Sequence, residues 1–143
     1  MLITSRANER VKQLRALRNH RERDATASFL AEGARLVQAA LDHEAGIEVV
    51  VAAPERLSPQ ESALLEQMEA RGLPRLEVSG EVFDSFSFRE EQQAIAVVAQ
   101  QRYEKLLPST RGQRCWVALQ DVQHPGNLGT IIRCCDADRK SVV

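Results

Sequence analysis

Leu119-Gln120-Asp121-Val122-Gln123-His124-Pro125-Gly126-Asn127-Leu128-Gly129-Thr130-Ile131-Ile132-Arg133-Cys134-Cys135-Asp136-Ala137 is the stretch on which the reading of this chain turns. It has the pattern of a buried strand's end, a Pro/Gly/Asn turn and a helix. Gly126 and Gly129 permit close approaches that a side chain would block. Asn127 is placed to cap the helix, whose free amides then point into the turn. At about 100° per residue, Leu128, Ile131, Ile132 and Cys135 gather on one side. Arg133 falls on the other, with Gly129 and Ala137 one turn away in either direction. Small neighbours leave room for a phosphate or ribose to meet the guanidinium, whose fork suits bidentate phosphate binding. The same spacing also fits a surface arginine paired with Asp136. The Lys-Ser/Thr of a P-loop and the G-x-G-x-x-G spacing of a dinucleotide fold are both missing.

Working backwards, Cys115-Trp116-Val117-Ala118-Leu119 reads as the strand feeding this turn, and Gln100 to Gln113 as an interdomain linker. Before it, Ala94 to Ala99, Leu76 to Val78, Ile47 to Ala52 and Ser28 to Ala31 are short strand-like runs. The nearly continuous apolar run at 47–52 suits a strand covered on both faces. Helical segments alternate with them. One runs from about Arg6 to His20, capped by Ser5, with Val11, Leu14 and Leu17 as its apolar stripe. Arg21 to Thr26 reads as a polar connection. Leu36, Val37, Ala40 and Leu41 mark a second helix. Ser58-Pro59-Gln60-Glu61 has the composition of a capping box, with Leu64, Leu65 and Met68 facing the core and Gly72 as the stop. Glu81 to Phe86 is a brief helical turn. The alternation predicts a layered α/β domain with a largely parallel sheet.

Bulk composition sets limits on function. The 143 residues suffice for one domain, or one domain and the start of a second. A net charge of −1 argues against a general polyanion binder, yet the charge is uneven. Residues 1–36 hold eight basic side chains (Arg6, Arg10, Lys12, Arg15, Arg18, Arg21, Arg23, Arg35) against four acidic ones. That is either a phosphate-binding face or a solvated helix surface. Three cysteines, two of them adjacent, and scattered histidines make neither a disulfide framework nor a metal site, so no metal is expected. Reduced, mostly buried thiols in a cytoplasmic protein fit best. No apolar run approaches the ~20 residues of a membrane span, so no membrane partner is expected.

The motif Asp121-Val122-Gln123-His124-Pro125-Gly126-Asn127-Leu128-Gly129-Thr130-Ile131-Ile132-Arg133 closely resembles the first signature of the SpoU (TrmH-type) RNA 2′-O-ribose methyltransferases, members of the knotted SPOUT superfamily. That family usually has an acidic residue where His124 stands and often Thr-Ala where Cys134-Cys135 stands. Ile3 to Asn8 with Val11-Lys12 and Leu14, then Phe29-Leu30-Ala31-Glu32-Gly33 with Arg35-Leu36-Val37, is similar to its amino-terminal substrate-binding domain. Gln92-Gln93-Ala94 stands where the family commonly has Pro-Gln-Gly.

The resemblance implies a three-layer α/β/α, ribosomal-protein-like substrate-binding domain over residues 1–103. A linker over 104–113 and, from 114 to 143, the first strand and helix of a SPOUT methyltransferase domain would follow. It implies methyl transfer from S-adenosylmethionine to a ribose 2′-hydroxyl of structured RNA (rRNA or tRNA, not DNA) by an enzyme that dimerises. Asn127 and Arg133 would be its catalytic residues, with Pro125, Gly126 and Gly129 shaping the turn. Arg10, Lys12, Arg15, Arg18 and Arg35 are the expected RNA contacts. Because a guanidinium gives up its proton only at great cost, Arg133 is expected to fix an RNA phosphate beside the hydroxyl rather than act as a free base. Glu32 is expected to fix a turn, with pairing to Arg35 as the alternative. Family members continue for roughly another hundred residues through the cofactor-binding motifs, so this sequence is expected to hold no cofactor site and to be inactive by itself. A non-enzymatic RNA-binding module is the competing reading, and it leaves the 121–133 motif unexplained. A protein-interaction fragment is a third.

Overall fold

The computed structural model describes residues 1–89, 91–103 and 117–137. Asn8 rather than Ser5 opens the first helix, α1 (Glu9–Ala16), its side chain accepting from the Arg10 amide. The Ser5 hydroxyl accepts from the Ala7 amide instead. The helix is also shorter than the periodicity suggests. Asn19 caps a separate helix, α2 (His20–Thr26), in the stretch expected to be a polar connection. Two asparagines eleven residues apart offer two starts, and each cap satisfies an amide that a continuous helix would not expose.

Next come β1 (Ser28–Glu32), α3 (Ala34–Asp42) and β2 (Ile47–Ala52). A 3₁₀ turn, Pro54–Arg56, leads to α4 (Pro59–Ala70). The capping box forms in full: the Ser58 hydroxyl accepts from the Glu61 amide, and the Glu61 carboxylate accepts from the Ser58 amide at 2.9 Å. Gly72, at φ +74°, ends that unit. β3 (Arg75–Glu77), α5 (Gly80–Asp84) and β4 (Ile95–Gln100) complete this part of the chain.

The four strands lie in the order β1-β4-β2-β3. β4 runs antiparallel to both β1 and β2, and only β2 and β3 are parallel. The expected largely parallel sheet is therefore corrected to a mixed, mainly antiparallel one. Continuous apolar runs report burial on both faces, not strand direction. Here helices cover both faces of an antiparallel centre. β4 shows this residue by residue, with Ala96 and Val98 facing one core and Ile95 and Val97 the other.

The first core joins Val11 and Leu14 of α1, and Leu17 at its end, to Val82, Phe83 and Phe86 around α5. The second joins Val37 and Leu41 of α3 to Leu64, Leu65 and Met68 of α4. This is the expected α/β/α layering.

The chain divides into two compact units, Met1–Gln101 and Arg102–Val143. The expected linker at 104–113 lies outside the described residues, as do Cys115 and Trp116. Val117 to Leu119 form no strand, and Val117 and Leu119 are exposed. A strand needs a hydrogen-bonding neighbour, and the described residues of that unit offer none. Its one described element is α6 (Pro125–Ala137).

Candidate functional site

Asp121 takes a left-handed backbone conformation, φ +52°, just before the turn. Its short polar side chain tolerates this better than most. The His124 carbonyl then accepts from the Asn127 and Leu128 amides, at 3.0 and 3.3 Å. The second of these is the first full helical bond. Pro125 thus takes the first helical position, where its missing N–H costs nothing. Asn127 lies inside the first turn and is not the cap expected from the sequence. Proline at the first position outranked asparagine as the start signal.

One turn further, the Thr130 hydroxyl donates to the Gly126 carbonyl at 2.9 Å and accepts from Arg133 Nη2 at 3.1 Å. A Cβ built on Gly129 would stand 3.3 Å from Arg133 Nη1, so the guanidinium lies along the space that glycine leaves. The sequence alternative of an Arg133–Asp136 pair is not what forms. Thr130 is the residue that sequence reasoning missed. Its spacing of three from Arg133, on one helix face, was the available signal.

The apolar side of α6 is less covered than its periodicity implies. Leu128 and Ile132 are 39% and 42% exposed, and of this helix only Cys135 is buried. Of the two cysteines in this helix, Cys134 is exposed and Cys135 buried, and Cys115 lies outside the described residues.

The amino-terminal arginines divide into two groups. Arg15 spends its guanidinium within the fold, with Nε donating to the Ser85 carbonyl and Nη2 to the Ser85 hydroxyl at 3.0 Å. Lys12 pairs with Glu9 at 3.1 Å. Arg10, Arg18 and Arg35 are exposed and form no ion pair among the described residues. Arg10 lines an open, mainly apolar cavity of about 450 Å³ beside α1 and α2. Arg18 lies over the ring of Phe88, 5.4 Å from its centroid.

Glu32 is 4% exposed, and its carboxylate accepts from the Phe88 amide at 2.9 Å and from the Ser87 hydroxyl. It fixes a turn, as expected, and its bonds go to the 87–88 loop rather than to Arg35. Among the described residues, no group of His, Cys, Asp and Glu side chains is arranged to hold a metal, and no helix is long and apolar enough to cross a membrane.

Residues 8–97 match the MRM3-like substrate-binding domain family. Over 135 residues the chain is 33% identical to the 23S rRNA (guanosine(2553)-2′-O)-methyltransferase RlmP of Bacillus subtilis, covering 94% of this chain and 50% of that protein. An AdoMet-bound rRNA methyltransferase from Sinorhizobium meliloti is 37% identical, with a TM-score of 0.78 over 99% of this chain and 53% of its own. A solved RNA 2′-O ribose methyltransferase is 31% identical, with a TM-score of 0.77 over 99% of this chain and 54% of its own. The chain spans about half the length of the relatives it matches.

Proposed function

This chain belongs to the SpoU/TrmH-type RNA 2′-O-ribose methyltransferases, and from that premise we propose that it supplies the RNA-facing half of an enzyme that methylates a ribose 2′-hydroxyl of ribosomal RNA in the cytoplasm. The methyl donor is S-adenosylmethionine, and the complete enzyme works as a homodimer. Residues 1–103 bind the RNA, 104–113 link, and 114–143 begin the methyltransferase domain.

The observation that carries this reading is Arg133, exposed on α6 and tied by Thr130 into the space over Gly129. A guanidinium held in one rotamer beside a cleared helix face meets a phosphate with both nitrogens of its fork. It orients and polarises the acceptor ribose instead of taking the proton as a free base. Asn127 stands two turns earlier on the same helix and shapes its entrance. Arg10, Arg18 and Arg35 hold the RNA backbone, while Lys12 pairs with Glu9 and Arg15 directs its donors to Ser85.

We place the S-adenosylmethionine site outside the described residues of 117–137. They line neither of the two cavities described, and Leu128 and Ile132 stand open on α6 where a cradle would need walls.

The test is Arg133→Ala in an enzyme of the relatives' full length carrying this sequence. Methyl transfer to ribosomal RNA falls by about 10²-fold or more, the size of losing one preorganised charge contact, while RNA affinity stays within about threefold. Unchanged turnover overturns the reading.

A further inference from the structure

The geometry points to Phe88 as a stacking platform for an unpaired nucleobase of the RNA, an inference that rests on the methyltransferase reading above. Phe83 and Phe86, on the same short stretch, are fully buried and pack on each other with centroids 4.8 Å apart. Phe88 is 48% exposed. The core is filled without it, so its ring is available for another use.

The backbone that carries the ring is also pinned. Glu32 is buried at the end of β1, where an unpartnered carboxylate would be costly. It accepts the Phe88 amide at 2.9 Å and the Ser87 hydroxyl, and the Ser87 oxygen accepts the Arg89 amide at 3.2 Å. A buried charge is thus used to pin a loop whose outward product is one aromatic ring. Arg18, 5.4 Å from the ring centroid, sits on a corner that is itself tied down. Arg23 Nη1 donates to the carbonyls of Leu17 and Arg18, at 2.9 and 3.0 Å.

Beside the ring lies an open slot of about 400 Å³, whose lining includes Leu17, Phe29, Leu30 and Leu36, with Arg89 contributing a cation. Its one carboxylate is Glu32, already engaged. Arg18, Arg35 and Arg89 form no ion pair among the described residues. An apolar slot with a flat ring, a guanidinium and unpaired cations suits a ligand with a π face and a phosphate backbone. Paired bases hide their faces in the stack, so the ligand is a loop or bulge nucleotide.

The test uses this 143-residue chain, unmodified and as Phe88→Ala and Phe88→Tyr. The probes are a labelled stem–loop RNA with a mixed-sequence loop and a blunt duplex of the same stem. Phe88→Ala weakens stem–loop binding about tenfold, the effect of one lost base–aromatic stack, and leaves duplex binding unchanged. It also leaves the slope of log affinity against log salt unchanged, because no phosphate contact is removed. Phe88→Tyr keeps the stem–loop affinity. Stem–loop binding by Phe88→Ala equal to that of the unmodified chain overturns the inference alone. So does equal weakening of both RNAs, or a lowered Tm with unchanged preference for the loop, since each assigns the ring to packing. If the unmodified chain binds neither RNA, the RNA-binding reading falls with it.

Discussion

Arg133 donates through Nη2 to the hydroxyl of Thr130, 3.1 Å away, and that hydroxyl's own proton is committed to the Gly126 carbonyl at 2.9 Å. A threonine hydroxyl has one hydrogen to give. Giving it to Gly126 makes the oxygen a fixed acceptor for Arg133. Thr130→Val keeps the shape and removes that acceptor. In the full-length enzyme we expect kcat to fall about tenfold with KM for RNA nearly unchanged, because the loss is of orientation rather than contact. Thr130→Ser should restore most of the rate. Wild-type kcat in the valine variant would make the tether incidental.

Glu32 gives a stability prediction. Replacing it with alanine leaves the Phe88 amide and the Ser87 hydroxyl without their acceptor in a partly buried place. Unmade bonds to a charged acceptor cost about 1.5–3 kcal/mol, more than the bond itself contributes. Urea unfolding should show a loss of at least that size for Glu32→Ala. Ser87→Ala, which removes only one donor, should lose about 1 kcal/mol. Equal, small losses in both would mean that the loop is held by something else.

Local signals in the sequence carried far. The Ser58–Glu61 capping box, the β-branched run of β2 and the 3.6-residue stripe of α1 each name a short-range cause, and each is found as read. Strand direction was not legible. Whether β4 runs with or against β2 depends on how the chain crosses the sheet, and both choices bury the same alternating side chains. At the motif, the turn and Arg133 were legible because proline, glycine and arginine have strong individual chemistry. The helix is capped three residues earlier than the sequence suggests, at His124, because Pro125 and Asn127 both signal a start. The Glu32–Phe88 bond joins residues 56 apart in sequence, and no spacing rule reaches that far.

Arg56 and Asp84 form a two-bond ion pair, with oxygen–nitrogen distances of 2.6 and 3.0 Å. Hydrogen bonding to Arg56 holds the Asp84 carboxyl below its ordinary value. The Gly80 amide does the same for Glu55. Both folded-state values are depressed, so both groups stabilise the fold above the unfolded carboxylate value of about 4 and lose that contribution as pH falls through the folded value. The pair is partly exposed, with side chains 24% and 42% accessible, which keeps the effect small. Asp84→Asn should cost about 0.5–1 kcal/mol at pH 7. The gap between variant and parent should close as denaturation is repeated below about pH 4. A gap that stays constant with pH would assign the loss to packing.

Arg15 and Arg35 separate a structural cation from an RNA-binding one. Both stand in the basic amino-terminal stretch and are equivalent to a charge count. Arg15, however, is bound through Nε and Nη2 to Ser85, across 70 residues of sequence, and joins α1 to the end of α5. Arg35 is exposed on the first turn of α3, with no ion pair among the described residues. A cation that neutralises a phosphate releases a counterion and steepens the salt dependence of binding, whereas one already spent within the fold does not. Arg35→Gln should therefore weaken RNA binding and reduce the slope of log affinity against log salt by about one contact's worth, 0.7–0.9. Arg15→Gln should leave that slope unchanged and lower unfolding stability by about 1 kcal/mol through the lost bonds to Ser85. A reduced slope in the Arg15 variant with full stability would reverse the assignment and make Arg15 an RNA contact.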